Sequence, residues 1–152
     1  VLSAADQERF SRHLLLDAFG GAGQERLCAG AVSIDLPEAF IYVAKSCARA
    51  LAAAGVGALV LRSEAIAAEC KRLSPSLEIV SDVHEVKTAR IIFVSIQHDP
   101  NAIDRILLEA EAPESPAEAS ALGALAALEA MKLLSNTGTR APLPLRVFPL
   151  ES

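Results

Sequence analysis

Tryptophan is absent from this chain of 152 residues, tyrosine and methionine occur once each, and aromatic residues make up only 4% of it. Stacking platforms for single-stranded nucleic acid need exposed aromatics, so that role has little to stand on. Basic residues are also few. Fourteen Lys and Arg against nineteen Asp and Glu leave a net charge of -5, and the two signs are mixed along the chain with no stripe to neutralise phosphates. Neither nucleic acid nor an anionic membrane surface is an expected partner. Cys28, Cys47 and Cys70 are odd in number, far apart and form no C-x-x-C pair, the pattern of buried or partly buried thiols in a reducing compartment. The N-terminus carries no basic segment followed by an apolar one, as a secretory signal would. A cytoplasmic protein is expected. The longest apolar stretch, Ala39 to Leu61, holds Lys45 and Arg49 four residues apart on one helix face. It therefore reads as a helix followed by a strand rather than a membrane span, with that face turned to water or a partner.

Hydrophobic residues make up 52% of the chain, ample for one domain with a two-sided core. Ser3 can cap a helix over Ala4 to Leu16, which glycines between Asp17 and Gly23 break before a second short helix, Gln24 to Ala29. Residues 1–30 thus form an N-terminal helical segment. A strand is expected at Val32 to Leu36 and a helix from Pro37 to about Ala54, ended by Gly55 and Gly57. A strand at Ala58 to Leu61 and a helix at Glu64 to Leu73 follow. Strands at Leu77 to Val80 and Arg90 to Ile96, helices at Asn101 to Glu111 and Pro116 to Leu134, and an edge strand at Leu143 to Leu150 complete the pattern. Strands and helices alternating at this spacing predict a single α/β domain: a reduced, Rossmann-like three-layer fold with a mostly parallel sheet and an N-terminal helical extension.

Three stretches carry a family resemblance. Glu8-Arg-Phe-Ser-Arg-His-Leu-Leu-Leu16, then Phe19-Gly20 and Gly23-Gln-Glu-Arg-Leu27, matches an R-Y-x-R-Q-x-x-L helix leading to an F-G-x-x-G-Q-x-x-L turn. Ala50 to Gly57 followed by an apolar strand matches a helix-to-strand turn. Leu122-Gly-Ala-Leu-Ala-Ala-Leu-Glu-Ala-Met-Lys-Leu-Leu134 matches a late G-x-x-x-A-L-E-A-L-K-L-L helix. Together they cover about half the chain and resemble the ThiF/MoeB/HesA family of E1-like, ubiquitin-activating-type adenylating enzymes.

The departures from that family bear on chemistry. Its first strand ends in a G-x-G-G-x-G turn whose backbone N–H groups approach nucleotide phosphates at a helix N-terminus. Here the turn reads Ile34-Asp-Leu-Pro-Glu-Ala39. Asp35 and Glu38 put negative charge where a phosphate would lie, Leu36 adds a side chain, and Pro37 removes a donor. After the second strand the ribose-binding acid is replaced by Arg62-Ser63, and the polar and arginine contacts to ATP beyond it are missing. No D-x-D/N cluster stands there for Mg²⁺, and the segment Glu111 to Ser120, in place of the family's crossover loop and C-x-x-C pairs, has no cysteine. No cofactor and no metal site are expected. ATP and Mg²⁺ would enter only if an unrecognised nucleotide site existed.

Each remaining candidate has a plainer reading. The three cysteines could accept a thioester or persulfide, but they lie in predicted helices among alanines and leucines, where small buried Cys is the commoner role. Gln97, His98 and Asp99 sit at a strand's C-terminal end, where open α/β sheets hold ligands, although a turn capped by Asp before Pro100 accounts for them too. His13 and His84 have no ligand partner at suitable spacing. Asp35 and Glu38 could pair as acid and base, or simply favour a helix start. Arg9 and Arg12 share a face and could form surface ion pairs with Glu8 or Asp6. The resemblance gives Arg12 a sharper role, since the family's second arginine on this helix reaches across a dimer to ATP phosphates in the neighbouring subunit.

The sequence thus points to a non-catalytic E1-like subunit that dimerises with itself or with an active adenylating enzyme, in a pathway activating a ubiquitin-like or sulfur-carrier protein, with Arg12 offered in trans. Two alternatives remain: an ATP-dependent adenylyltransferase for such a carrier, and a small-molecule or peptide binding module on the same scaffold, with a ligand between Ser95 and Asp99.

Overall fold

The computed structural model describes residues 2–15, 17–88, 90–97, 104–109 and 111–145. Five strands, β1 (Ala31–Asp35), β2 (Ala58–Val60), β3 (Glu78–Val80), β4 (Ile91–Ser95) and β5 (Arg105–Leu107), form one sheet in the order β3-β2-β1-β4-β5. Every pairing is parallel. Six α-helices accompany it among the described residues: α1 (Ala4–Arg9), α2 (Ser11–Leu14), α3 (Gly20–Cys28), α4 (Ile41–Ala54), α5 (Glu64–Leu73) and α6 (Pro116–Ser135). The fold is α/β and Rossmann-like, with β1 at the centre of the sheet.

Register assigns the two faces of the sheet. Val32, Ile34, Leu59, Ile92, Val94 and Ile106 point one way and are buried in a single core beneath α4, α5 and α6. Ser33 is aligned with Val60 and Phe93, and Asp35 with Ser95, on the opposite face. That face is more thinly covered, and the alternation in β4 shows it, with Ile92 and Val94 buried and Ile91, Phe93 and Ser95 only partly so. Side chains alternate across a strand, so one layer of helices suffices to bury every second residue.

The predicted helix at Asn101 to Glu111 is corrected by β5. Residues 101–103 and 110 lie outside the described set, but Arg105–Leu107 is a strand whose flanks are tied to β4 by Phe93 N–H donating to Asp104 O (3.0 Å) and Leu108 N–H to Ser95 O (2.9 Å). Arg, Leu and Glu favour helix locally. The open edge of β4 offers a row of hydrogen bonds, and Ile106 and Leu108 alternate into the core, so tertiary context wins. The predicted edge strand Leu143 to Leu150 falls mostly outside the described residues. Within them, Leu145 makes a single parallel bridge to Leu108.

The first predicted helix is two helices, interrupted at Phe10 (φ -101°, ψ 17°). Ser3 caps α1 as expected: its hydroxyl accepts from Asp6 N–H at 3.1 Å, while Asp6 accepts from Ser3 N–H. Gly55 ends α4 in the left-handed region (φ 89°), where Phe10 packs so tightly that a Cβ would lie 2.2 Å from its ring. Glycine is needed there twice over, for conformation and for space.

The most extensive packing between two elements joins α4 to α6. Gly123 of α6 lies against Val43, Ser46 and Cys47 of α4, with Ala119, Ala126 and Ala130 of α6 buried in the common core, and a Cβ on Gly123 would meet Val43 O at 2.5 Å and Cys47 N at 2.9 Å. Gly123→Ala therefore sets two effects against each other. Helix propensity favours alanine by about 1 kcal/mol, whereas overpacking against rigid backbone costs about 1–3 kcal/mol and forces the helices apart. We expect net destabilisation, read as a lower urea midpoint, and Ala126→Gly should not mimic it in crystal-structure displacement of α6.

Candidate functional site

The residues of the family-like motifs divide by what they touch. Arg9 holds the N-terminal helices to the body: its guanidinium donates to Ser74 Oγ (3.0 Å), Ala52 O (3.2 Å) and Leu73 O (3.4 Å) and stacks over Phe10 with its carbon 4.9 Å from the ring centre. A cation placed on carbonyls near the ends of α4 and α5 also complements their dipoles. The expected ion pairs of Arg9 with Glu8 or Asp6 are replaced by these bonds. Gln24 is fully buried and donates from Nε2 to Ala54 O (3.0 Å), while its Oε1 lies 3.0 Å from His13 Nδ1. His13 packs against Phe10 and Phe19, both ring centres 5.9 Å away. Glu129 is buried in α6, accepts from Ala141 N–H (3.0 Å), and forms an ion pair with Lys132, whose ammonium also holds Thr139 O at 2.6 Å. These side chains are ties.

Arg12 is different. It is exposed on α2 and has no hydrogen bond or ion pair with any other described residue. The Lys45 and Arg49 face meets neither open water nor a partner alone: both cations contact Glu69 of α5, at 3.0 and 3.2 Å. The Lys45 hydrogen bond first, and the charges of Lys45 and Arg49 with it, hold the Glu69 carboxyl below its ordinary range.

At the β1–α4 junction, Pro37 to Phe40 close into a 3-10 turn, Glu38–Phe40, with Phe40 N–H donating to Pro37 O at 2.8 Å and the Phe40 ring buried. Leu36 packs on the core while Asp35, Pro37 and Glu38 are exposed. Asp35 pairs with Arg62 at 3.4 Å across the ends of β1 and β2. In a Rossmann-like sheet this is where a phosphate would approach the helix. A guanidinium bridge and a closed turn stand there instead, and Asp35 and Glu38 are not arranged with each other as an acid–base pair by any contact.

Below the Asp35–Arg62 pair lies a cleft of about 360 Å³, whose lining includes Ser33, Asp35, Arg62, Ser81, Asp82 and Phe93. Ser33, Arg62, Ser81 and Phe93 were not singled out as site residues by sequence. The one available signal was the polar Ser33 interrupting the apolar run of β1. Of the other predicted site, Gln97 is exposed and its carbonyl accepts from Ser95 Oγ at 3.0 Å in a local turn. His98 and Asp99 lie outside the described residues. Among the described residues no group of three or more His, Cys, Asp or Glu is placed to hold a metal ion, and no helix is long and apolar enough to cross a membrane.

The three thiols are free, with Cys47 and Cys70 buried and Cys28 half-buried. Burial pushes Cys47 from its ordinary 9.0 up to about 12, with Cys70 nearby adding to the effect. Burial also raises Cys70 and Cys28, the latter partly offset by Gln24 Nε2–H donating to its Sγ. A thiolate nucleophile at neutral pH is thus disfavoured at all three. Because the folded Cys47 holds its proton more tightly than the unfolded one, its contribution is complete below about pH 9 and is lost as pH rises toward 12, at up to about 1.4 kcal/mol per pH unit. Urea midpoints measured from pH 8 upward should fall more steeply for the wild type than for Cys47→Val. Parallel curves would show that Cys47 does not govern alkaline stability.

No family model matches the chain, and no curated protein does. Among solved structures, the chain is similar to the selenomethionine crystal structure of PaaA, with a TM-score of 0.61 and 15% sequence identity over 93% of this chain and 69% of that one. At that identity the likeness is one of fold.

Proposed function

We propose that the chain is a non-catalytic E1-like subunit, related to ThiF and MoeB, that associates with a second E1-like chain and presents Arg12 to a nucleotide bound there. The observation that carries this reading is the β1–α4 junction. Pro37 to Phe40 close the turn on themselves and the Asp35–Arg62 pair spans its mouth, leaving no row of glycine N–H groups for a triphosphate. The motif residues Arg9, Gln24 and Glu129 are engaged in internal ties, whereas Arg12 is left uncommitted on the surface.

Association is supported by apolar surface. A groove of about 190 Å³ between the N-terminal helices and α6 is lined by Phe19, Leu27, Leu128 and Met131, and Leu125 and Leu128 of α6 are 40% and 48% exposed. The occupant proposed is the corresponding helix face of a second E1-like chain, this one or an active relative, in a cytoplasmic carrier-protein pathway. Leu125→Glu with Leu128→Glu should convert a dimer to a monomer by light scattering while leaving the melting temperature within a few degrees. A wild-type chain that is monomeric alone, and also after mixing with the adenylating enzyme recovered from its host, would overturn the proposal.

The nucleotide reading is tested separately. Calorimetric titration of the purified chain with Mg-ATP should give no saturable heat, and a micromolar dissociation constant would instead favour an adenylyltransferase for a ubiquitin-like or sulfur-carrier protein. With the active partner present, Arg12→Ala should reduce ATP–pyrophosphate exchange by about tenfold or more. Folding should be unaffected, because an exposed helical arginine replaced by alanine costs little. Arg9→Ala is not a neutral control, since it removes three bonds and should cost about 1 kcal/mol. Equal exchange by wild type and Arg12→Ala would leave a purely structural subunit.

A further inference from the structure

The cleft on the thinly covered face of the sheet adds Ser33, Asp82 and an apolar wall to the Asp35–Arg62 pair. Ser33 stands in the central strand, only 7% exposed, and its hydroxyl lines the cleft without a hydrogen bond to any other described residue. No buried side-chain polar atom among the described residues is without a partner, so this hydroxyl is open to the cleft rather than sealed in the core. A polar group held at such depth costs free energy unless something satisfies it.

Above Ser33, Arg62 Nη2 contacts Asp35 Oδ1 at 3.4 Å. That single contact leaves the second Asp35 oxygen and most of the guanidinium's five donors free. Asp82 accepts His84 N–H on Oδ1 at 2.8 Å and caps the following turn, its side chain also accepting from Glu85 N–H. Ser81 donates to Glu85 at 3.3 Å. Val60, Val83 and Phe93 supply an apolar wall in the same cleft.

We propose that this cleft binds a free α-amino acid with an apolar side chain. The Asp35–Arg62 pair presents opposite charges side by side at the cleft, and a zwitterion laid antiparallel to it puts carboxylate on guanidinium and ammonium on carboxylate without breaking the existing pair. The Ser33 hydroxyl meets the zwitterion from below, and the side chain lies on Phe93, Val60 and Val83. Two carboxylates beside one guanidinium disfavour a polyphosphate, which would bring more negative charge, and a lone carboxylic acid would add a third carboxylate with no ammonium to offset it. The cleft volume of about 360 Å³ accommodates an amino acid of the size of leucine or phenylalanine. The inference is independent of whether the chain pairs with an adenylating enzyme.

The test is calorimetry and heteronuclear NMR on the intact chain with L-leucine and L-phenylalanine, and with leucine amide, 4-methylpentanoate and AMP as comparison ligands. At least one of the two amino acids should saturate with a dissociation constant of about 1 mM or tighter, shifting the amides of Ser33, Arg62 and Asp82. Leucine amide and 4-methylpentanoate should each bind about tenfold more weakly, as should both amino acids to Arg62→Ala and Asp35→Asn. Ser33→Ala should weaken binding severalfold, and unchanged amide spectra outside the cleft establish that each variant is folded. If neither amino acid saturates, or if 4-methylpentanoate or AMP binds as well as leucine, the zwitterion site is rejected. Amide shifts confined to residues away from the cleft overturn it equally.

Discussion

The backbone-to-backbone approach of α4 and α6 at Gly123 is the contact on which the rest of the domain rests. α4 is the crossover from β1 to β2, and α6 comes from the far end of the chain to lie against α4, α3, β4 and β5. Where they meet, alanines and one glycine replace larger side chains, and Ser46 Oγ donates to Ser120 O at 2.8 Å. Dispersion falls steeply with separation, so this close seam joins the first crossover to the last helix more firmly than a looser contact of bulkier residues would.

Around that seam, polar residues are used as fasteners. Arg9 and Gln24 bring the N-terminal helices onto carbonyls of α4 and α5, and Arg26 Nε donates to Ser135 O at 2.7 Å, joining α3 to α6. Glu129 and Lys132 fold the segment after α6 back along it, toward the Leu145–Leu108 bridge at the sheet edge. Much of the charged content of the family-like motifs is therefore architectural. Arg12 stands out by contrast, and so does the other face of the sheet, where the Ser33 hydroxyl is unengaged and a single exposed contact joins Asp35 to Arg62. Chemistry has room where the architecture makes no claim on a polar group.

Local signals carried much of the fold. Ser3, Gly55, the Pro116 start of α6 and the Glu64–Leu73 helix were legible because caps, glycines and helical spacing act within a few residues. The order of strands and helices from β1 through β3 followed from period, glycines and prolines together, and the β4 run from its apolar residues, whereas the glycines read as a break before Gln24 lie in α3, which begins at Gly20. The break at Phe10 was not legible: it serves a ring packing on Gly55, a contact between residues far apart in sequence. The strand β5 was missed for the same kind of reason, since its hydrogen bonds come from β4 rather than from its own sequence.

For the site, the sequence by itself determined an absence: Asp35, Leu36, Pro37 and Glu38 replace the glycines a phosphate cradle requires, and backbone sterics make that readable without a structure. It also marked Arg9 and Arg12 as a pair on one helix. Only the tertiary structure separated them, placing Arg9 on carbonyls of two other helices and leaving Arg12 in solvent. Likewise, only the pairing of β1 with β2 and β4 brought Asp35 to Arg62 and set Ser33 beneath them beside Phe93. Such groupings are decided by strand register and crossover, where partners are supplied by distant segments, and no local pattern encodes which distant residue will arrive.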